Sequence, residues 1–326
     1  MKQDWLTIEE FQKGYRVLLK CAKEAEGEII IPEGVTVIAD GSFMGCDKIT
    51  SLVLPESLTG IEASAFYNTN NGKSWCPSLV SIHFPSSLLS PNCYMDENTM
   101  LWGTGWYDNQ PDGVVYAGAN AIGYKGKMPK NAEIVIKEGT KFISAYAFKD
   151  CYNLVSITLP ESLAFIDVDA FLGCSFLKTI KFSSNVKLSE SDDLKETPWY
   201  INQPDGVVYA GANAIGYKGD MPEGTEIVIK EGTKFIPFRA FALQKNLEKV
   251  TLPQSIVEIG IEAFEDCDNL KTICIPKMCK IEYIGESSKS THPFRISQML
   301  FESGLQKTEW VLSDNFVSYR RSFCQK

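Results

Sequence analysis

Histidine is almost missing from this chain. Among 326 residues there are two, His83 and His292, which weakens most histidine-dependent acid–base chemistry and most histidine-built metal sites. No apolar run approaches the roughly 18 residues that a membrane span needs. The first residues, MKQDWLTIEEFQKGY, carry charges throughout and no apolar core of the kind a secretory leader has. No Asn-x-Ser/Thr acceptor occurs, and the last residues, SYRRSFCQK, carry no lipidation or retention signal. Basic residues are in deficit, 32 Lys and Arg against 41 Asp and Glu, a net charge of −9. Such a chain repels phosphate backbones, so nucleic acid is a poor partner. The expectation is a cytoplasmic protein as the sequence stands, or a surface or secreted one if a leader has been removed.

Cysteine, by contrast, is plentiful at ten residues. Position decides what these thiols do, and the positions are periodic. IIIPEGVTVIADGSFMGCDKITSL from Ile29, TLPESLAFIDVDAFLGCSFLKTI from Thr158 and TLPQSIVEIGIEAFEDCDNLKTI from Thr251 share one frame. It reads I/L-P-x-x-(L/V/I)-x-x-I-x-x-x-A-F-x-x-C-x-x-L-x-x-I. Phe148 to Phe171 is 23 residues, as are Cys151 to Cys174 and Leu252 to Ile275. The unit Val53–Ile82 keeps the frame with an insertion, NTNNGKSWCPS, after Phe66. A longer period of 93 residues lies on top. WYDNQPDGVVYAGANAIGYKGKMP (Trp106–Pro129) returns as WYINQPDGVVYAGANAIGYKGDMP (Trp199–Pro222), each leading into EIVIKEGTKFI.

Each 23-residue unit contains two short extended stretches. In Leu154–Pro160 the last residues alternate apolar and polar, as a half-buried strand does, and the proline ends the strand. A lone unit cannot bury its apolar positions, so units stack about 4.8 Å apart and each position becomes a ladder. Phe43, Phe66, Phe148, Phe171, Phe241 and Phe264 form one expected ladder; Ile38, Ile61, Ile143, Ile166, Ile236 and Ile259 form another. Cys46, Cys151, Cys174 and Cys267, each three residues after a ladder Phe, read as buried free thiols. Gln244 and Thr69 stand where two further units would carry cysteine, which argues against obligatory disulfide pairing.

The frame resembles the BspA-like leucine-rich repeat family, with its I-P-x-x-V-x-x-I-G-x-x-A-F-x-x-C-x-x-L unit, over about two thirds of the chain. The W-Y-x-N-Q-P-D-G-V-V-Y block is similar to one in bacterial members. The resemblance implies a right-handed, β-rich repeat solenoid with short helical or 3-10 turns. It further implies a surface-exposed adhesion or interaction protein in which no catalytic residue travels with the pattern.

The expected organisation is an N-terminal cap (1–27), repeat modules at 28–92, 133–190 and 226–281, connectors at 93–132 and 191–225, and a C-terminal cap (282–326). Thr7-Ile8-Glu9-Glu10 matches a capping box and predicts a short helix ended by Gly14. Pro111-Asp112-Gly113 and Pro204-Asp205-Gly206 predict turns, followed by β-hairpins.

No catalytic constellation emerges. His83 occupies an outward strand slot and His292 a Ser/Thr/Lys-rich stretch. Cys267-x6-Cys274-x4-Cys279 lacks the close ligand pairs of a zinc site, although a Cys274–Cys279 disulfide is open to it in an oxidising compartment. Gly118-x4-Gly123-Tyr124-Lys125 lacks the Lys-Ser/Thr that a phosphate loop places before a helix. No cofactor, metal or enzymatic activity is expected. Two outward rows are the candidate partner face: Ser51, Ser81, Ser156, Thr179, Lys249 and Thr272, and beside them Val53, His83, Thr158, Lys181, Thr251 and Cys274. The expected function is protein–protein interaction or adhesion by a monomer. The alternative is carbohydrate binding through Trp106, Tyr107, Trp199 and Tyr200, which otherwise clamp the connectors to the core.

Overall fold

In a computed structural model of the chain, residues 5–12, 14–62, 64–68, 73–74, 76–86, 88, 101–260, 262–276, 280–281, 308–312 and 316–321 are described. The chain forms two compact units, Met1–Leu177 and Lys178–Lys326. Both are built as the repeat frame requires, from short strands and single helical turns, and the fold is a β-rich repeat solenoid.

In the first unit the strands are β1 (Leu6–Gln12), β2 (Tyr15–Cys21), β3 (Glu26–Ile30), β4 (Val37–Ile38), β5 (Lys48–Val53), β6 (Gly60–Ile61), β7 (Tyr67–Asn68), β8 (Lys73–Ser74) and β9 (Ser81–His83). A four-residue helix α1 (Gly105–Asp108) follows, then β10 (Gly113–Ala117), β11 (Asn120–Lys125), β12 (Ala132–Val135), β13 (Phe142–Ile143), β14 (Leu154–Thr158) and β15 (Phe165–Ile166). The second unit has β16 (Thr179–Lys181), β17 (Lys187–Leu188), helices α2 (Asp192–Lys195) and α3 (Pro198–Ile201), β18 (Gly206–Ala210), β19 (Asn213–Lys218), β20 (Thr225–Val228), β21 (Phe235–Ile236), β22 (Leu247–Thr251), β23 (Glu258–Ile259), β24 (Thr272–Pro276), β25 (Lys280–Ile281), β26 (Thr308–Leu312) and β27 (Phe316–Arg321).

Among the described residues, repeats other than the one that holds β9 contribute one longer strand and one two-residue strand, and each joins its own parallel ladder. The longer strands run β3-β5-β9 in the first unit and β20-β22-β24 in the second. The short ones run β4-β6, β13-β15 and β21-β23-β25. Registers are those of the 23-residue frame: Ile38 faces Ile61, Ile143 faces Ile166 and Ile236 faces Ile259. Between the two ladders lies the phenylalanine column. Phe43–Phe66, Phe148–Phe171 and Phe241–Phe264 stack with centroids 4.7, 5.7 and 5.5 Å apart and interplanar angles of 14°, 8° and 11°. Near-parallel rings follow from parallel repeats: equal backbones give equal rotamers one turn apart.

The cysteine slot does more than fill space. The Cys174 thiol donates to the Phe148 carbonyl at 3.1 Å and the Cys267 thiol to the Phe241 carbonyl at 3.1 Å. Each thiol thus serves a backbone acceptor of the preceding turn, which in a dry interior would be costly to leave bare. Cys21, Cys46, Cys76, Cys151, Cys174 and Cys267 are thiols and not disulfides. Cys76 corrects the sequence alignment. The insertion moves the slot from position 69 to 76, where the buried Cys76 points its thiol at the Phe43 carbonyl, 3.8 Å away.

The N-terminal helix is not formed. Residues 6–12 pair antiparallel with β2, and β2 joins β4 in parallel. A capping box satisfies only two donors of a helix that would be too short to persist, whereas Leu6-Thr7-Ile8 alternates and completes a sheet. Gly14, at φ +82°, makes the hairpin turn instead of ending a helix. The hairpin adds the terminal strand of its sheet, in the manner of a solenoid cap. At the other end β27 adds antiparallel to β24 and pairs with β26. The rest of the expected C-terminal cap, His292 included, lies outside the described residues. Among the described residues no helix is long and apolar enough to cross a membrane.

Candidate functional site

The expected hairpins form in both connectors. β10 pairs with β11 and β18 with β19, each with one register shift at the same place. Ahead of each hairpin sits a single helical turn that the sequence pattern did not signal. Thr104 and Thr197 cap these turns, accepting from Tyr107 N–H at 3.2 Å and Tyr200 N–H at 3.3 Å. The turn directs its aromatics inward. Trp106 and Tyr107 are 8% and 5% exposed, and Trp199 and Tyr200 are 8% and 9%. Trp106 meets Phe84 edge-on at 5.2 Å and Trp199 meets Phe182 in the same way at 5.3 Å. The rings are buried among core side chains, and burial pushes the Tyr107 and Tyr200 hydroxyls to higher pKa.

In the first unit Ser51 faces Ser81 and Val53 faces His83, across β5 and β9. His83 is exposed and Ser51 and Ser81 half-buried. Ser156 and Thr158 lie on β14, each half-buried. In the second unit Lys249 faces Thr272 and Thr251 faces Cys274, while Thr179 and Lys181 on β16 are exposed. The two connector pairs do not join these rows.

Three further strands extend both rows. β3 sets Glu28 beside Ser51 and Ile30 beside Val53. β12 sets Glu133 beside Ser156 and Val135 beside Thr158. β20 sets Glu226 beside Lys249 and Val228 beside Thr251. The signal was present in the repeated E-I-V-I and its N-terminal counterpart E-I-I-I, which alternate like the other strands but follow a connector. Val135 and Val228 are 73% and 71% exposed, and Ile30 49%. Charges on this face are locally answered: Lys249 bonds Glu226 at 2.9 Å and Lys271 bonds Glu248 at 3.0 Å.

Chemistry is thin elsewhere. Among the described residues no cluster of three or more His, Cys, Asp or Glu could hold a metal ion. Burial pushes the Cys151 thiol up to about 11 and the Cys267 thiol to about 12. Cys46, hydrogen-bonded to the Cys21 thiol and buried, is also raised. Thiols that hold their protons are poor nucleophiles.

The comparisons agree with the frame. The sequence model of the BspA type leucine rich repeat region matches six copies over residues 22–90, 126–199 and 220–309. No curated protein matches the chain. Among solved structures, the chain is similar to a leucine rich cell surface protein of Faecalibacterium prausnitzii, at 18% identity over 88% of this chain and 95% of that one, with a TM-score of 0.29. It is also similar to leucine-rich repeat proteins of Bacteroides ovatus (19% identity, 84% and 70% covered, TM-score 0.28) and Eubacterium ventriosum (16%, 88% and 96%, 0.29). The repeat match, with the stacked Phe ladder and the Cys slot behind it, makes the conclusion plain: the chain belongs to the BspA type leucine-rich repeat family.

Proposed function

We propose that this protein is a non-enzymatic scaffold that binds a protein partner on the outward face of its longer-strand sheets, in an interaction or adhesion role. The observation that carries the reading is a division of labour. Inner positions are committed to the Phe, Ile and Cys ladders, whereas outward side chains such as His83, Thr179, Lys181, Val135 and Val228 are exposed. A repeat array exposes such a face over a long span, suited to a broad partner and to many small contacts. The net charge of −9 favours a protein or peptide partner over nucleic acid.

The test is a binding array of purified matrix proteins and cell-envelope proteins, followed by titration of any partner found. The double variant Ser81→Arg/Thr272→Arg places one bulky charge on the outward strands of each unit, at half-buried slots. It should weaken the partner at least tenfold, about 1.4 kcal/mol, and leave the thermal midpoint unchanged. Undiminished binding by that variant refutes the face. Substrate turnover with no retained partner refutes the scaffold reading altogether.

A further inference from the structure

The two connectors restart the longer-strand sheet, and each restart leaves an edge. In β12, Ala132 N–H donates to Asn153 O at 2.8 Å and Ile136 N–H to Thr158 O at 3.0 Å. Alternate residues of a parallel strand turn their backbone groups to opposite sides. Ala132, Ile134 and Ile136 therefore serve β14, and Glu133, Val135 and Lys137 turn away from it. β20 repeats this, with Thr225 N–H on Asn246 O at 3.0 Å and Ile229 N–H on Thr251 O at 2.9 Å. On the far side, Lys137 N–H finds the Tyr116 hydroxyl at 3.2 Å and Lys230 N–H finds the Tyr209 hydroxyl at 3.0 Å. Those tyrosines come from the hairpins and carry the lysine ammonium groups over their rings, at 3.9 and 4.0 Å from the centroids. Among the described residues β12 and β20 each stand at the end of their sheet, and no backbone bond outside the strand pairs involves Glu133, Val135, Glu226 or Val228.

An exposed strand edge is ordinarily blunted by charge, by shortness or by a bulge. Here a valine stands in the middle of each edge, 73% and 71% exposed. The two edges also match each other more closely than their surroundings do. From Trp106 to Ile143 and from Trp199 to Ile236 the copies differ only at Asp108/Ile201, Lys127/Asp220, Lys130/Glu223, Asn131/Gly224 and Ala132/Thr225. The stretch after them, SAYAFKDCYNLVSITLP against PFRAFALQKNLEKVTLP, keeps little beyond the frame. Packing accounts for the shared buried residues, but it gives no reason for an exposed valine to persist in both.

We propose that the outer edges of β12 and β20 are one peptide-docking site present twice, each taking an extended segment of a partner by strand addition. The chemistry of that segment can be read from the strand already accepted on the inner side. There Lys249 answers Glu226 at 2.9 Å and Thr251 lies beside Val228. On β12 the inner strand sets Ser156 and Thr158 in the same slots; the segment thus carries a basic or small polar residue for Glu133 or Glu226 and, two residues on, a β-branched residue for Val135 or Val228. Main-chain bonds supply affinity and the alternate side chains supply selectivity.

This inference rests on the scaffold reading and narrows it to a place. The probe is a labelled peptide of the β22 sequence, NLEKVTLP, titrated against the full chain by fluorescence anisotropy and calorimetry. Two equivalent sites per chain are expected. Val135→Asp and Val228→Asp should each leave one site, and the double variant none, with unchanged thermal midpoints; Val228→Thr should retain binding. A peptide N-methylated at alternate residues should bind at least tenfold more weakly, as should one with Lys replaced by Glu. Absence of binding, indifference to the valine variants, or full binding of the N-methylated peptide each overturns the proposal. Ser81→Arg/Thr272→Arg touches neither edge, so loss of partner capture by that variant alongside a failed peptide titration would sink the edge site and spare the scaffold.

Discussion

Replacing Phe171 with alanine tests the whole stacking scheme at one position. The ring is fully buried and lies 5.7 Å from Phe148 at 8° between planes. Its neighbours are fixed by the ladders, with Ile166 in register with Ile143, so the hole cannot close by local collapse. Phe→Ala in such a site costs about 3–5 kcal/mol in lost transfer energy and residual cavity. Of this, the lost ring–ring contact is about 0.5–1.5 kcal/mol. Phe176, five residues on, is 57% exposed, and its replacement should fall within about 0.5 kcal/mol of zero. Urea unfolding followed by circular dichroism reads both, with the slope unchanged so that the midpoint reports stability. The Phe148→Ala/Phe171→Ala cycle should return a coupling of about the ring-contact energy. If Phe171→Ala moves the midpoint no more than Phe176→Ala does, or if the coupling is zero, the column is not a column and the register is wrong.

Other outcomes follow from the thiols, the connectors and the edges. Titration under denaturing, non-reducing conditions should find Cys21, Cys46, Cys76, Cys151, Cys174 and Cys267 all reactive, and alkylation of the native protein at pH 8 should be slow at Cys46, Cys151, Cys174 and Cys267; fast labelling of Cys174 or Cys267 would contradict the slot. Cys151 and Cys267 hold folded pKa values of about 11 and about 12 against an unfolded value of 9.0. A raised thiol pKa stabilises the fold fully below pH 9, and that share is lost as the unfolded thiols ionise and pH climbs through 11 and 12. Stability should therefore fall with alkali across that window, and a flat profile in urea midpoints would refute it. Thr197→Ala removes the cap of the turn that seats Trp199 and Tyr200 and should cost about 1 kcal/mol, read as a drop in the urea midpoint, whereas Thr197→Ser should cost little.

Much of the interior was legible because a solenoid writes its core once and repeats it. The Phe and Ile ladders, the free thiols and the hairpins after Pro-Asp-Gly all follow from position within the 23-residue frame. What the frame did not convey is local and aperiodic. Thr7-Ile8-Glu9-Glu10 looks like a helix start, yet a four-residue signature carries less free energy than the hydrogen bonds of a strand pair beside an open sheet. Cys76 escaped the frame because ten residues, not three, separate it from Phe66, although its C-x-x-L spacing to Leu79 was intact. The helical turns before each hairpin are four residues long, too short for periodicity to register, and their caps are visible only as Thr two residues ahead of Trp.

The same logic explains why the outward rows were read without their first members. Alternation tells which side of a strand faces out, but it does not tell which strand lacks a neighbour. Val53, Val135 and Val228 are one residue type in one slot. Val53 stands between Ile30 and His83 and is half-buried. Among the described residues Val135 and Val228 have a strand on one side only, and they are mostly bare. Their difference comes from the connectors, which interrupt the ladder, and not from the repeat. A repeat protein satisfies its backbone by stacking identical units, so its unsatisfied groups collect where stacking stops. Among the described residues the chain closes four such places with its own hairpins, β1–β2 at β4, β10–β11 at β13, β18–β19 at β21 and β26–β27 at β24. At β12 and β20 the hairpin tyrosine reaches Lys137 and Lys230 and no further along the strand. Recognition of an extended chain is therefore sited by the interruptions of the pattern, with the periodic core holding those interruptions rigid.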